Sequence, residues 1–320
     1  MRVNSDRPDA WKSDIAKSVD FYNKWFMRFA PKAYKTTRVV TTKQVESALE
    51  LTKNLTDIVP DVLKDNPSVL PILRMATAPP IARDRLIGLA DVSSNLVMNM
   101  EEGNRIPPRM AVAEVHSGLK KIGRVIRLLA DDDIFPWLNS KKTPTNAETY
   151  RASTIVADRL CGAVADPIIR NAQEKRQLAS IKAWLQRRGY KYSASNHDHD
   201  IYNLPPATFS FRFNVPVKQP GNGRHVNIPI DVIIMPKNAK AGSLPLMIEA
   251  KSAGDFTNTN KRRKEEATKI AQLRSTYGDE VKFILFLCGY FDSGYLGYEA
   301  AEGIDWVWEH RIDDLQKFGL

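Results

Sequence analysis

Leu246-Met247-Ile248-Glu249-Ala250-Lys251 is an apolar run that ends on two charges, and its reading decides the fold. It reads as a strand. Side chains alternate between the faces of a strand, so Glu249 and Lys251, two apart, share a face. Seventeen residues separate Glu249 from an earlier acid, Asp231, which opens Asp231-Val232-Ile233-Ile234-Met235. That segment is apolar enough for the centre of a sheet. If the two strands are neighbours, Asp231, Glu249 and Lys251 converge on one point.

Two carboxylates and a lysine at one point suit the hydrolysis of a phosphodiester. The attacked phosphate must have its charge neutralised, and a water must become nucleophilic. A hard cation such as Mg²⁺ does both, and it takes one or two carboxylates with water and phosphate oxygens. Asp231 and Glu249 are the candidate ligands, with the Ala250 carbonyl as a further one. Lys251 is the candidate for orienting or deprotonating the water and for offsetting charge in the transition state. Short acid-x-Lys tripeptides also arise by chance. Here the charges close a strongly apolar strand, where an unpaired charge is rarely buried.

The 320-residue chain is long enough for one large or two ordinary domains. With 43% hydrophobic and 26% charged residues it is globular rather than disordered. No apolar run is long enough to span a membrane, and the polar start lacks the apolar core of a secretion signal. Cys161 and Cys288 lie in apolar surroundings and read as buried free thiols of a reducing compartment, the cytoplasm. The net charge of +10 favours a polyanionic partner, and residues 1–150 and 151–320 share it equally. No phosphate-binding loop or dinucleotide fingerprint is present, so no nucleotide cofactor is expected.

Residues from about 11 to 140 read as helical. Val45, Leu49, Thr52 and Leu55 give one stripe; Leu86, Leu89, Ala90, Leu96 and Val97 continue the type; Leu119, Ile122, Val125, Ile126 and Leu129 make a third. The polar stretch 139–146 is the expected boundary, with a helical region over 1–146 and a second domain over 147–320. A helix follows from about 147 to 188, with a break expected near Asp166-Pro167. Glu174 lies one turn before Leu178 on the stripe of Leu178, Ile181 and Leu185. A carboxylate at the end of a buried face calls for a cation nearby; an exposed first-turn glutamate is the other reading. A hairpin over 209–235, a helix over 258–277, a buried strand over 282–288 and short C-terminal helices complete the expectation.

Lys261-Arg262-Arg263-Lys264 lies near the start of the helix over 258–277. Cations there oppose the helix dipole, and a nearby phosphate backbone removes the penalty. Asn258 and Asn260 stand just ahead and can reach phosphates or base edges. A solvated face balanced by Glu265 and Glu266 is the other reading. His197-Asp198-His199-Asp200 resembles a metal cluster but lacks a partner motif.

With these residues in place the chain resembles the PD-(D/E)XK nucleases, and more closely the type II restriction endonucleases of the XamI group. The resemblance rests on 166–178, with Glu174 inside it; on 248–255, with Glu249-Ala250-Lys251; on 288–291 and 303–315; and on Leu73-Arg74-Met75-Ala76-Thr77-Ala78-Pro79-Pro80 in the helical half. It implies an α/β (α+β) fold, a mixed central sheet flanked by helices with a large N-terminal helical region. It also implies Mg²⁺ dependence and a homodimer that cuts double-stranded DNA at a short palindrome, leaving 5′-phosphates. In that reading Asp231 and Glu249 are ligands, Lys251 is the catalytic lysine and Glu174 is the added helix carboxylate. The chain departs from the motif at Pro229-Ile230-Asp231, where Ile230 separates proline from acid. Other readings of the same residues are a repair or recombination nuclease, a DNA-binding module without catalysis, and a helical scaffold for another protein.

Overall fold

Alternating apolar residues in the second half of the chain assemble one mixed sheet, and helices cover both of its faces. The computed structural model describes residues 2–140, 142–194, 201–219, 224–240, 242–257 and 259–320, with the side chains of 259–262 left out. The described helices are α1 (Pro8–Leu51), α2 (Pro60–Asp65), α3 (Leu70–Met75), α4 (Arg83–Ala90), α5 (Ser94–Gly103), α6 (Val112–Leu129), α7 (Trp137–Ser140), α8 (Asn146–Arg187), α9 (Thr259–Tyr277) and α10 (Ser293–Ala301). The strands are β1 (Lys191–Tyr192), β2 (Thr208–Lys218), β3 (His225–Met235), β4 (Leu246–Ala253), β5 (Lys282–Gly289) and β6 (Asp305–Trp308).

Among the described residues the sheet has six strands in the order β1-β2-β3-β4-β5-β6. The pairs β2–β3 and β3–β4 are antiparallel, while β1–β2, β4–β5 and β5–β6 are parallel. Parallel neighbours need a crossover, and α9 and α10 supply it between β4 and β5 and between β5 and β6. One apolar layer joins Ile248, Ile284 and Phe286 to Ile181, Trp184 and Leu185 of α8. The other joins Met247, Leu285 and Trp306 to Ile270 and Leu273 of α9 and Tyr295 and Leu296 of α10. Adjacent residues of β4 thus serve opposite layers, as period-2 geometry requires.

The chain forms two compact units, one of residues 1–29 with 170–320 and one of residues 30–169. The division does not fall in the polar stretch 139–146. It runs instead through the two long helices, α1 and α8, each of which gives residues to both units. Pro31 and Pro167 lie inside these helices, close to the division. The break expected at Asp166-Pro167 does not occur. A proline removes one backbone donor, and the turns on either side carry the helix through. The second unit has its own core, in which Leu86, Leu96, Leu119, Ile122 and Ile126 are buried. Leu89, placed on the apolar stripe by its spacing, is exposed.

Two further expectations change. Asp231 does not open its strand, because β3 begins six residues earlier at His225. The C-terminal segment is not wholly helical: Asp305–Trp308 forms β6, and a 3₁₀ helix kinked at Arg311 follows over Glu309–Phe318. Cys161 and Cys288 are buried free thiols. Among the described residues no helix is long and apolar enough to cross a membrane.

Candidate active site

The register of β3 against β4 pairs Val232 with Ile248, Ile233 with Met247 and Ile234 with Leu246. The next position outward sets Asp231 opposite Glu249. There the backbone ladder stops, and Asp231 Oδ2 accepts the Ala250 N–H at 2.8 Å. The carboxylate thus takes over a donor that a strand neighbour would otherwise satisfy.

The hairpin bends at the same level. On β2, Phe211 pairs with Val232 and Phe213 with Ile230, so Arg212 faces Asp231. Arg212 has φ of 50°, in the left-handed region. Below this level Phe213, Val215 and Ile230 face the α9–α10 layer. Above it Phe209, Phe211 and Val232 face the α8 layer. The apolar face of both strands changes over at Arg212 and Asp231. This local turn brings Asp231 toward Glu249, and Ile230 before the acid is buried in the core rather than disturbing it.

Glu249 is 5% exposed. Its Oε1 accepts from Lys251 Nζ at 3.1 Å and from Lys269 Nζ at 2.7 Å. Its Oε2 is buried and, among the described residues, has no donor. Lys269, on α9, also donates to the Pro229 carbonyl at 2.9 Å. Lys251 Nζ lies 3.6 Å from Glu266 Oε1 on α9. Burial alone would lower the affinity of Lys251 for its proton, but Glu249 and Glu266 outweigh it and hold the ammonium above the usual lysine range. Asp231 is pushed up to about 6, first by burial and then by the charge of Glu249, against the Ala250 N–H and the two lysines.

These groups line a cleft of about 330 Å³ with Arg170, Gln173, Glu174, Gln177, Ala250, Ser252 and Glu265. Asp231, Glu249, Lys251 and Glu174, all named from sequence, share that cleft. Glu174 is tied to Arg212 Nη2 at 2.6 Å. Gln177 of α8 donates to the carbonyls of Lys251 and Phe286, both at 3.2 Å, and so ties the helix to the strand that carries the lysine.

The donor set fits a hard divalent cation. Two carboxylates face each other, one raises the proton affinity of the other, and a buried carboxylate oxygen lacks a donor. Among the described residues no three His, Cys, Asp or Glu side chains converge as a closed metal cage. Asp231 and Glu249 are the residues that would hold such an ion.

The structure separates the members of the basic run. Arg263 is half-buried, with its guanidinium 5.0 Å from the ring centre of Tyr298, and Lys264 is exposed. Asn258 and the side chains of Asn260, Lys261 and Arg262 lie outside the described residues, as does His197-Asp198-His199-Asp200. Glu266 does not balance the run. It is buried and turned toward Lys251. The sequence reading missed Lys269, Glu266, Arg212 and Gln177. The available signal was the spacing of Glu266 and Lys269 ahead of Ile270 and Leu273, the residues by which α9 packs on the sheet.

A mixed sheet with helices on both faces, and an acidic pair and lysine where two central strands part, defines a restriction-endonuclease-like core. The sequence profile of the family described as XamI restriction endonuclease matches residues 53–308. Type II restriction enzyme SalI of Streptomyces albus G is 53% identical over 317 residues, covering 99% of each chain. The chain belongs to the XamI restriction endonuclease family, and its activity is that of a type II restriction endonuclease. Among solved structures, protein VC1899 from Vibrio cholerae aligns at a TM-score of 0.28 and 13% identity, over 90% of this chain and 56% of that one. A likeness of that size carries no argument about fold or function.

Proposed function

We propose that Asp231, Glu249 and Lys251 form the catalytic centre, and that the enzyme cuts double-stranded DNA at a short palindrome as a Mg²⁺-dependent homodimer, leaving 5′-phosphates. The observation that carries this reading is the convergence of the three side chains in one cleft, with Glu249 bonded to the lysine and one of its oxygens still without a donor. Mg²⁺ bound by Asp231 and Glu249 would supply charge neutralisation at the phosphate and a more acidic water.

The remaining work falls to the chain itself. Glu249 and Glu266 keep Lys251 protonated. Lys251 orients or helps deprotonate the attacking water and offsets charge on the phosphate. Asp231 is fixed by the Ala250 N–H. Glu174 borders the cleft from α8, where it can orient water or a further cation. Asn258, Asn260 and Lys261 to Lys264 contact the backbone of the bound duplex. A palindrome matches two-fold symmetry, so each protomer of a homodimer would cut one strand. The helical region of residues 1–146 contributes to DNA contact and dimerisation, and the reduced cysteines suit the cytoplasm.

Plasmid digestion with mapped ends tests the reading. Wild type with Mg²⁺ is expected to give discrete fragments with 5′-phosphate ends. Lys251→Ala is expected to lower the cleavage rate by about 10²–10⁴ while still binding the duplex. Full activity in that variant, or a smear in place of fragments, would overturn the proposal.

A further inference from the structure

Beside Lys251 two acids are buried together. Glu266 of α9 is 1% exposed and Glu299 of α10 is 0% exposed. Carboxyl groups are rarely buried so completely unless each finds a partner. The Tyr295 hydroxyl donates to Glu266 Oε2 at 2.9 Å. The Glu299 carboxyl lies against Glu266 as well. Tyr295 and Glu299 are one helical turn apart, so a single face of α10 presents both to α9. Asp292 caps that helix by accepting the Tyr295 N–H at 2.6 Å, which fixes the turn carrying the tyrosine.

We infer that Glu266, gripped by Tyr295 and Glu299, is a positioning residue that sets where the Lys251 ammonium stands. Its other oxygen, Oε1, lies 3.6 Å from Lys251 Nζ, and the same ammonium contacts Glu249 at 3.1 Å. A lysine head on a four-carbon stem has many positions open to it. With Glu266 removed, Glu249 alone would draw the ammonium in, away from the place a phosphate must occupy.

The gripping arrangement needs one proton. Two ionised carboxylates in contact would repel, and among the described residues Glu299 has no donor for either oxygen. Burial and the charge of Glu266 push Glu299 up to about 9, with Arg263 acting against this and Glu302 with it. Glu299 therefore stays protonated near neutral pH and donates to Glu266. The negative charge of the pair rests on Glu266, directed at Lys251.

The inference rests on the reading that Lys251 acts in cleavage, and the test separates the two. Steady-state cleavage of an oligonucleotide duplex gives kcat and KM, and thermal melting reports the fold. Glu266→Gln is expected to lower kcat by about 10- to 100-fold with KM unchanged. Tyr295→Phe, which keeps the ring in the core, should lower kcat in the same sense by less, and it decides the matter should Glu266→Gln not fold. Glu299→Met should lower kcat, and Glu299→Gln, which keeps a donor in place of the carboxylic acid, should restore most of it. Infrared spectra should show the carbonyl stretch of a neutral carboxylic acid that disappears in Glu299→Gln. Wild-type kcat in Glu266→Gln or Tyr295→Phe, or a Glu299→Gln variant as slow as Glu299→Met, would overturn the inference. Wild-type kcat in Lys251→Ala would instead overturn the reading beneath it.

Discussion

Lys269 and Glu249 lie twenty residues apart in the chain, yet the Lys269 ammonium meets Glu249 Oε1 at 2.7 Å. This contact is closer than that of Lys251 with the same oxygen, at 3.1 Å. Glu249 is thus held between a lysine of its own strand and one from α9. Lys269→Met should lower the cleavage rate by about 10- to 100-fold, the cost of removing an outer partner of a ligand group. Lys269→Arg should recover part of the loss. A Lys269→Met enzyme as fast as wild type on plasmid DNA would show that the contact has no part in the site.

Asp231 carries a pH signature. Its proton affinity is raised in the folded enzyme, to about 6. Between the ordinary carboxylate range and about pH 6 the folded state keeps a proton that the unfolded chain has released. Stability from this group is therefore greatest at acid pH and falls as pH rises through that window. In the presence of a chelator, Asp231→Asn should raise the melting temperature at about pH 8 and leave it unchanged near pH 4. Asparagine keeps an acceptor for the Ala250 N–H, so the difference isolates the charge. Equal melting temperatures at the higher pH would contradict the burial argument.

How much of this could be read from sequence depends on the range of the interaction. Asp231, Glu249 and Lys251 were legible because each ends or interrupts an apolar strand, and strand geometry places side chains by counting in twos. Glu266 and Lys269 were hidden by Lys261-Arg262-Arg263-Lys264, since a helix start so rich in charge conceals which residues turn to the sheet. Only the packing of α9 by Ile270 and Leu273 decides it. The left-handed turn at Arg212 was invisible because no glycine marks it. β6 escaped notice because four residues are too few for a period. The break expected in α8 at Asp166-Pro167 is absent because the turns on either side carry the helix through the proline.

Glu174 and Arg212 form a half-exposed ion pair at the mouth of the cleft. Pairs of that exposure contribute about 0–1 kcal/mol to stability. Glu174→Gln should therefore leave urea unfolding almost unchanged. If Glu174 serves the site, cleavage should slow by at least about tenfold in the same variant. Loss of stability in proportion to activity would assign it to the fold instead.

Gly289 ends β5 with φ of 99°, a conformation that side-chain-bearing residues rarely adopt. A Cβ there would stand 2.1 Å from the Ala253 carbonyl oxygen at the end of β4. The strand that carries Glu249 and Lys251 depends on that approach, because Ala253 and Gly289 are the last pair of the β4–β5 ladder. Gly289→Ala should cost on the order of 3 kcal/mol or more in chemical denaturation. A cost below about 1 kcal/mol would mean that the two strands part without strain.

The basic run makes a quantitative demand on DNA binding. Each lysine or arginine that neutralises a phosphate releases counterions, so log affinity falls with log salt by about 0.9 per contact. Lys264 is exposed on α9, whereas the Arg263 guanidinium lies over the Tyr298 ring. Lys264→Ala should therefore flatten the salt slope by about 0.9. Arg263→Ala should flatten it less, because that charge is partly committed within the protein. Binding is best followed by fluorescence anisotropy of a labelled duplex with Ca²⁺ in place of Mg²⁺, so that the substrate stays intact. An unchanged slope in Lys264→Ala would remove Lys264 from the DNA-contacting surface, and the same reading can be taken in turn for Lys261 and Arg262.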